Sequence, residues 1–151
     1  MKNLDYNTKI ISSKETYKVR LPVLRAGKPI ETCVFDGDDL NTTLHFGIFT
    51  KKNLVGICSF FKNSHSNFSE ENQYQLRGMA ILKEYQGKGI GNIILNYTEE
   101  FIKKKNTDII WCNAREIAVD FYKKNNYQTI GKAFPIKDIG LHYVMYKTLK
   151  K

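Results

Sequence analysis

Cysteine is scarce in this sequence, proline is scarcer than a loop-rich protein needs, and no long apolar run occurs at all. The three cysteines, Cys33, Cys58 and Cys112, are odd in number and widely spaced, with no Cys-x-x-Cys pair and no histidine-rich cluster. That argues against both a disulfide framework and a zinc site, and no metal is expected. Cys58 and Cys112 fall inside apolar, strand-like runs and read as small core residues. No stretch reaches membrane-spanning length, and the opening residues MKNLDYNTKIISSKE hold no apolar run long enough for a secretion signal. The expected location is a reducing cytoplasm, with no membrane partner.

What is present is enough for a core. At 151 residues the size suits one domain spanning residues 1–151, and an apolar share of 42% with 13% aromatics excludes a disordered chain. The formal charge of +9 raises nucleic acid, an anionic membrane or an acidic ligand as partners. The basic residues are dispersed, with short clusters only at Lys103–Lys105, Lys123–Lys124 and the C-terminus, and no basic helix is interleaved with aromatics. Solvation, with some steering of a polyanionic ligand, is the simpler reading, and no nucleic-acid partner is expected.

In chain order, a first strand is expected over Leu4 to Ile11. Ser12 and Glu15 form an S-x-x-E capping box, so a helix should follow with Tyr17, Leu21 and Leu24 on one face. Pro22 inside that pattern predicts a helix that is short or bent. Arg25–Pro29 and Asp36–Asp39 read as a breaker segment and a turn. Two strands, Thr42–Phe49 and Leu54–Phe61, should form a hairpin across Thr50–Asn53, and the polar stretch Lys62–Asn72 reads as a loop. Later elements are a helix with Ile90, Ile93, Ile94, Tyr97, Phe101 and Ile102 at helical spacing, a strand over Asp108–Asn113, a helix over Arg115–Lys124, and strands over Tyr127–Phe134 and Leu141–Leu149. This order predicts a mixed α/β (α+β) sheet of about six to seven strands flanked by three to four helices.

The stretch QLRGMAILKEYQGKGIGN, residues 75–92, carries the most chemistry. An apolar strand interrupted by Gly78 leads through Lys83, Glu84 and Tyr85 into Gln86, Gly87, Lys88, Gly89, Ile90, Gly91 and Asn92, where a helical pattern starts. Alternating glycines let successive backbone N–H groups converge, and the helix start adds its own unpaired N–H groups and positive dipole end. Lys88 adds a full charge. The order suits a phosphate. Neither the Walker pattern nor G-x-G-x-x-G fits: Lys88 is followed by Gly89, and the glycines stand at 87, 89 and 91.

With Gln86, Gly89 and Gly91 forming Q-x-x-G-x-G after a strand that ends Arg77-Gly78-Met79-Ala80-Ile81, the chain resembles the GNAT superfamily of acyl-CoA-dependent N-acyltransferases. A second segment, WCNAREIAVDFYKKNNYQTIG from Trp111 to Gly131, extends the resemblance to about half the chain. It implies the single-domain GNAT fold, acetyl-CoA as co-substrate, and a pyrophosphate cradle built by residues 86–92. It further implies that Met79, Ala80 and Ile81 line the acetyl and pantetheine arm, with a bulge near Gly78 freeing a backbone N–H for the acetyl carbonyl. Asn113 matches a position that bonds the cofactor arm; as an isolated residue it reads as the cap of the following helix. Tyr122 matches the tyrosine that protonates the departing thiolate, while on its own it reads as an inner-face aromatic beside Phe121.

The base is open. His45, His65 and His142 are the only histidines. His65, among serines, reads as solvated. For His45 and His142 a structural role competes with a chemical one; His142, at the start of the last strand, is the candidate base. Glu70, Glu71, Glu84 and ordered water are the alternatives. No cysteine stands near both a histidine and the cofactor segment, so direct transfer in a ternary complex to a primary amine, on a small molecule or peptide, is expected. The rival is a non-catalytic acyl-CoA-binding or sensing module, and a nucleic-acid binder rests on charge alone. Exposed sheet edges allow a homodimer.

Overall fold

The computed structural model describes residues 5–149. Its seven strands form one mixed sheet in the order β1-β2-β3-β4-β5-β7-β6, in agreement with the expected class. The strands are β1 (Tyr6–Ile11), β2 (Leu44–Thr50), β3 (Asn53–Phe61), β4 (Gln73–Ile81), β5 (Ile109–Arg115), β6 (Gln128–Ile136) and β7 (Gly140–Thr148). The three α-helices are α1 (Ser13–Val19), α2 (Ile90–Lys103) and α3 (Val119–Lys124). Leu4, expected in the first strand, lies outside the described residues. The chain forms two compact units, one of residues up to Phe61 with Arg77–Ile102, the other of Lys62–Leu76 with Lys103 onward.

In the first unit, β1, β2 and β3 are antiparallel neighbours. The β2–β3 turn places both Lys51 (φ 49°) and Lys52 (φ 71°) in the left-handed region, the backbone of a two-residue hairpin that asparagine and glycine ordinarily supply. Helix α1 starts as expected: the Ser12 side chain accepts the Glu15 N–H, and the Glu15 carboxylate accepts the Ser12 N–H at 2.8 Å. Pro22 then changes the helix rather than stopping it. Residues Arg20–Leu24 form a π-helical turn, and Arg25 N–H bonds the carbonyls of Arg20 and Leu21. Proline has no N–H for the α-ladder and its ring crowds the preceding turn, so the wider turn absorbs it.

The buried face of this helix is Thr16, Val19 and Arg20, whereas Tyr17, Leu21 and Leu24 are only half-buried. Val19 packs with Ile11, Ile57 and Ala80, and Leu24, Phe49 and Leu82 close around them. On α2 the buried residues are Ile90, Ile94, Leu95, Thr98, Glu99 and Ile102. Ile93 and Phe101 are half-buried, and Tyr97 is exposed although its ring edge meets Phe46. The apolar spacing therefore located the helix but placed its inner face a fraction of a turn away from the true one.

In the second unit, Gln73–Gln75 of β4 pair in parallel with Ile109–Trp111 of β5, and β5 and β6 both lie antiparallel to β7. The loop over residues 62–72 is more ordered than its polar composition suggests. The buried Gln73 side chain accepts the His65 N–H and donates to the carbonyls of Phe68 and Glu70, while Trp111 Nε1 donates to the Asn63 carbonyl.

Candidate active site

The first unit holds the strand, loop and helix start. Gly78 of β4 sits at φ +67°, left-handed backbone inside a strand at the position where the sequence leads us to expect a bulge. A methyl group there would stand 3.3 Å from the Phe35 ring and 3.6 Å from Arg20 Nε. Beyond Gly78, Ala80 is buried and Met79 and Ile81 are half-buried. A 3₁₀ turn, Lys83–Tyr85, leads out of the strand, and the Gln86 side chain reaches back to donate to the Ile81 carbonyl at 2.8 Å. Gln86 thus fastens the loop to the end of β4. Sequence reasoning placed Gln86 in the motif without finding this tie, because nothing local shows where an amide side chain points.

Gly87 (φ +78°) and Gly89 (φ +81°) take the left-handed conformation, and no atom lies within 4 Å of where a Cβ would project from either. The space in front of the loop is open. Lys88 between them is exposed, Asn92 is exposed, Gly91 is half-buried in the first turn of α2, and Ile90 is buried. The Ile93 N–H bonds the Gly89 carbonyl at 3.2 Å; a helix leaves its first N–H groups without intrahelical acceptors. The chain's turn therefore joins N–H groups, a dipole end and a lysine at one open place, a donor set suited to a polyphosphate.

One network fills the space beside Gly78. Arg20, fully buried, donates to Asp38 at 2.7 and 3.1 Å, to the Cys33 carbonyl at 2.8 Å and to Ser59 Oγ at 3.2 Å. Only its Nε lacks an acceptor among the described residues. His45 contacts the Asp38 carbonyl through Nε2 at 2.8 Å and Ser59 Oγ through Nδ1 at 2.6 Å. Because a carbonyl only accepts, Nε2 carries the proton and donates, and Nδ1 accepts a hydrogen bond from the Ser59 hydroxyl. Both nitrogens are occupied, so His45 is a structural histidine. In the Asp36–Asp39 turn, Asp38 is buried against Arg20 and Asp39 accepts from Ser13 Oγ. None of these partners is near in sequence: Asp38 and Ser59 stand 18 and 39 residues from Arg20.

A cavity of about 470 Å³ opens elsewhere in this unit, lined in part by Glu15, Lys18, Phe49, Leu54, Glu84 and Tyr85. Of the candidate catalytic and cofactor-binding residues named above it touches only Glu84. Burial pushes the Cys58 thiol up to about 12.

In the second unit, Asn113 lies within β5 opposite Val144, with its side chain exposed. It is not a helix cap: Arg115 and Ala118 occupy the cap positions of the next two helical turns. Tyr122 is 7% exposed, its ring edge-on to Phe121 and Tyr127 at 5.1 and 5.4 Å. His142 is 4% exposed, and its Nδ1 meets the Gly140 carbonyl at 2.9 Å. That contact requires a proton on Nδ1 and leaves Nε2 as the basic nitrogen of the neutral ring. His65 is half-buried rather than fully solvated: it packs edge-on against Trp111 at 4.8 Å, and its Nδ1 accepts the Asn67 N–H. Glu70 and Glu71 are exposed. Burial raises the Cys112 thiol to about 12. Among the described residues no group of three or more His, Cys, Asp or Glu could hold a metal ion, and no helix is long and apolar enough to cross a membrane.

The family profile described as "Acetyltransferase (GNAT) family" matches residues 14–127. The chain belongs to the GNAT acetyltransferase family. It is 35% identical over 142 residues to an uncharacterized N-acetyltransferase, YitI, of Bacillus subtilis, spanning 94% of this chain and 95% of that one. The same fold appears in an aminoglycoside 6′-N-acetyltransferase crystallised with coenzyme A (12% identity, 94% and 96% of the two chains, TM-score 0.75). It also appears in the ribosomal-protein-S18-alanine N-acetyltransferase of Escherichia coli (13% identity, 97% and 95%, TM-score 0.75). The chain is therefore an acetyltransferase, and its seven-stranded mixed sheet is the GNAT sheet. The family match includes residues 79–81, 86–92, Asn113 and Tyr122, and stops short of His142.

Proposed function

We propose that this GNAT enzyme transfers the acetyl group of acetyl-CoA directly to a primary amine within a ternary complex. The observation that carries the reading is the unit formed by left-handed Gly78 within β4, the Gln86–Ile81 tie and the open turn at Gly87 and Gly89 leading into α2. Residues 86–92 hold the pyrophosphate through backbone N–H groups and Lys88. Met79, Ala80 and Ile81 align the pantetheine arm, and Asn113 bonds it. A backbone N–H freed near Gly78 polarises the acetyl carbonyl as negative charge develops on its oxygen.

The amine nitrogen attacks the thioester carbon, a C–N bond forms, and the C–S bond breaks as the tetrahedral intermediate collapses. His142 Nε2 takes the amine proton and Tyr122 gives its phenolic proton to the departing thiolate, the phenol being restored from solvent. The alkaline-shifted, buried Cys58 and Cys112 thiols support direct transfer over an acyl-enzyme, because a nucleophile must be a thiolate. The test is calorimetric titration with acetyl-CoA, followed by free-thiol release with a panel of amines. Micromolar binding with turnover supports the enzyme; binding without turnover on any amine favours a sensing module; no binding by folded protein removes the reading.

A further inference from the structure

Three guanidinium groups of the first unit share one aromatic ring. Arg20, Arg77 and Arg25 stand 3.8, 4.8 and 5.2 Å from the centroid of Phe35, and Arg77 also lies 5.2 Å from that of Phe61. Of the three, only Arg20 has a carboxylate partner among the described residues. Arg25 spends two donors on the carbonyls of Thr32 and Leu24, and the Arg77 side chain has no hydrogen bond or ion pair among the described residues. Stacking engages the flat face of a guanidinium and leaves its N–H donors pointing outward from the edge. The remaining charges nearby are Asp38, committed to Arg20, and the exposed Asp36, so the cluster keeps a positive surplus.

Arg77 is half-buried, and burial followed by the like charge of Arg20 pulls its guanidinium below the ordinary value. None of its nitrogens is among the buried unpartnered atoms of the described residues, so its donors face solvent, where an anionic ligand can take them up in charge-assisted hydrogen bonds. Its place sharpens the point, for Arg77 directly precedes Gly78, near which the freed N–H faces the acetyl group in the reading above. The unsatisfied Nε of Arg20 lies behind the same glycine.

We propose that Arg77, backed by Arg25, binds an anionic group of the acceptor, so that the amine acetylated here belongs to a small molecule carrying its own carboxylate or phosphate. This rests on the acetyl-transfer reading. The guanidinium holds the anion at the edge of its plane while Phe35 and Phe61 hold the plane, and the amine is presented one side-chain length away, beside Gly78.

The experiment measures acetyl-CoA-dependent thiol release with L-amino acids against their carboxamides, and with O-phosphoethanolamine against ethanolamine, in wild type, Arg77→Gln and Arg77→Lys. The expected result is at least about a ten-fold preference in kcat/KM for an anionic acceptor over its neutral partner. Arg77→Gln should abolish that preference through KM alone, and Arg77→Lys should restore part of it. The carboxylate and phosphate pairs separate the two anions. Neutral acceptors used equally well by wild type, or a preference that survives Arg77→Gln, overturn the proposal.

If no acceptor turns over, thermal shifts with N-acetyl amino acids and their amides in the presence of coenzyme A decide instead. Stabilisation that needs the carboxylate and vanishes in Arg77→Gln supports the site, and its absence overturns it. Should Arg77→Gln fail to fold, Arg25→Gln takes its place, and the wild-type comparison needs no variant. Failure to bind acetyl-CoA sinks the transfer reading, whereas turnover indifferent to the acceptor's charge sinks only this one.

Discussion

The Arg20 guanidinium meets the Asp38 carboxylate at 2.7 Å, with both side chains withdrawn from solvent. Asp38→Ala would leave a buried cation unpaired and is expected to cost about 3–5 kcal/mol, read as a lower urea midpoint. Arg20→Met with Asp38→Leu removes both charges and should recover much of the loss. A single variant as stable as wild type would mean that the pair is not what holds the π-helical turn against the strands.

Gly89→Glu places negative charge in the open turn where the pyrophosphate is proposed to bind. At φ +81° any side chain is also strained, by about 1–2 kcal/mol, so Gly89→Ala is the control for strain without charge. Calorimetry should show acetyl-CoA binding abolished by the glutamate and only weakened by the alanine. Equal affinity in all three proteins would move the cofactor away from this loop.

Tyr122→Phe removes one hydroxyl from a ring already packed against Phe121 and Tyr127. If the phenol protonates the thiolate, kcat should fall about 10²-fold while the Kd for acetyl-CoA stays put. Unchanged turnover would return Tyr122 to the core.

Cys58 and Cys112 titrate near 12 in the folded chain against 9.0 ordinarily, because burial disfavours the thiolate. A folded-state pKa above the unfolded one adds stability that is complete below pH 9 and is lost as pH rises towards 12. The urea midpoint should therefore fall across that window, and Cys58→Ala with Cys112→Ala should flatten the fall. All three cysteines are free and buried, so a thiol reagent should label native protein slowly and all three sites in urea. Rapid native labelling would contradict the packing.

Much of the fold was legible because its signals are local. The Ser12–Glu15 box starts α1 through groups three residues apart, Pro22 distorts the helix through its own missing N–H, and Gly78, Gly87 and Gly89 mark backbone that other residues avoid. The loop after β4 could be read as a phosphate cradle for the same reason. The inner face of α2 was misplaced because Thr98 and Glu99 are polar yet buried: Thr98 bonds the Ile94 and Leu95 carbonyls of its own helix and lies beside Cys58. Apolar spacing carries no record of such contacts.

Residue types and their short-range order determined the strand, loop and helix succession, the turn at the proposed phosphate site and the family. Tertiary structure alone decided which charged and titratable groups are spent and which are left over. His45 became structural through Asp38 and Ser59, His65 was drawn against Trp111, and Arg77 was set on Phe35 without a carboxylate. The reason is distance along the chain: those partners are brought in by separate elements, and a side chain's hydrogen bonds and charge balance depend on where all of them meet.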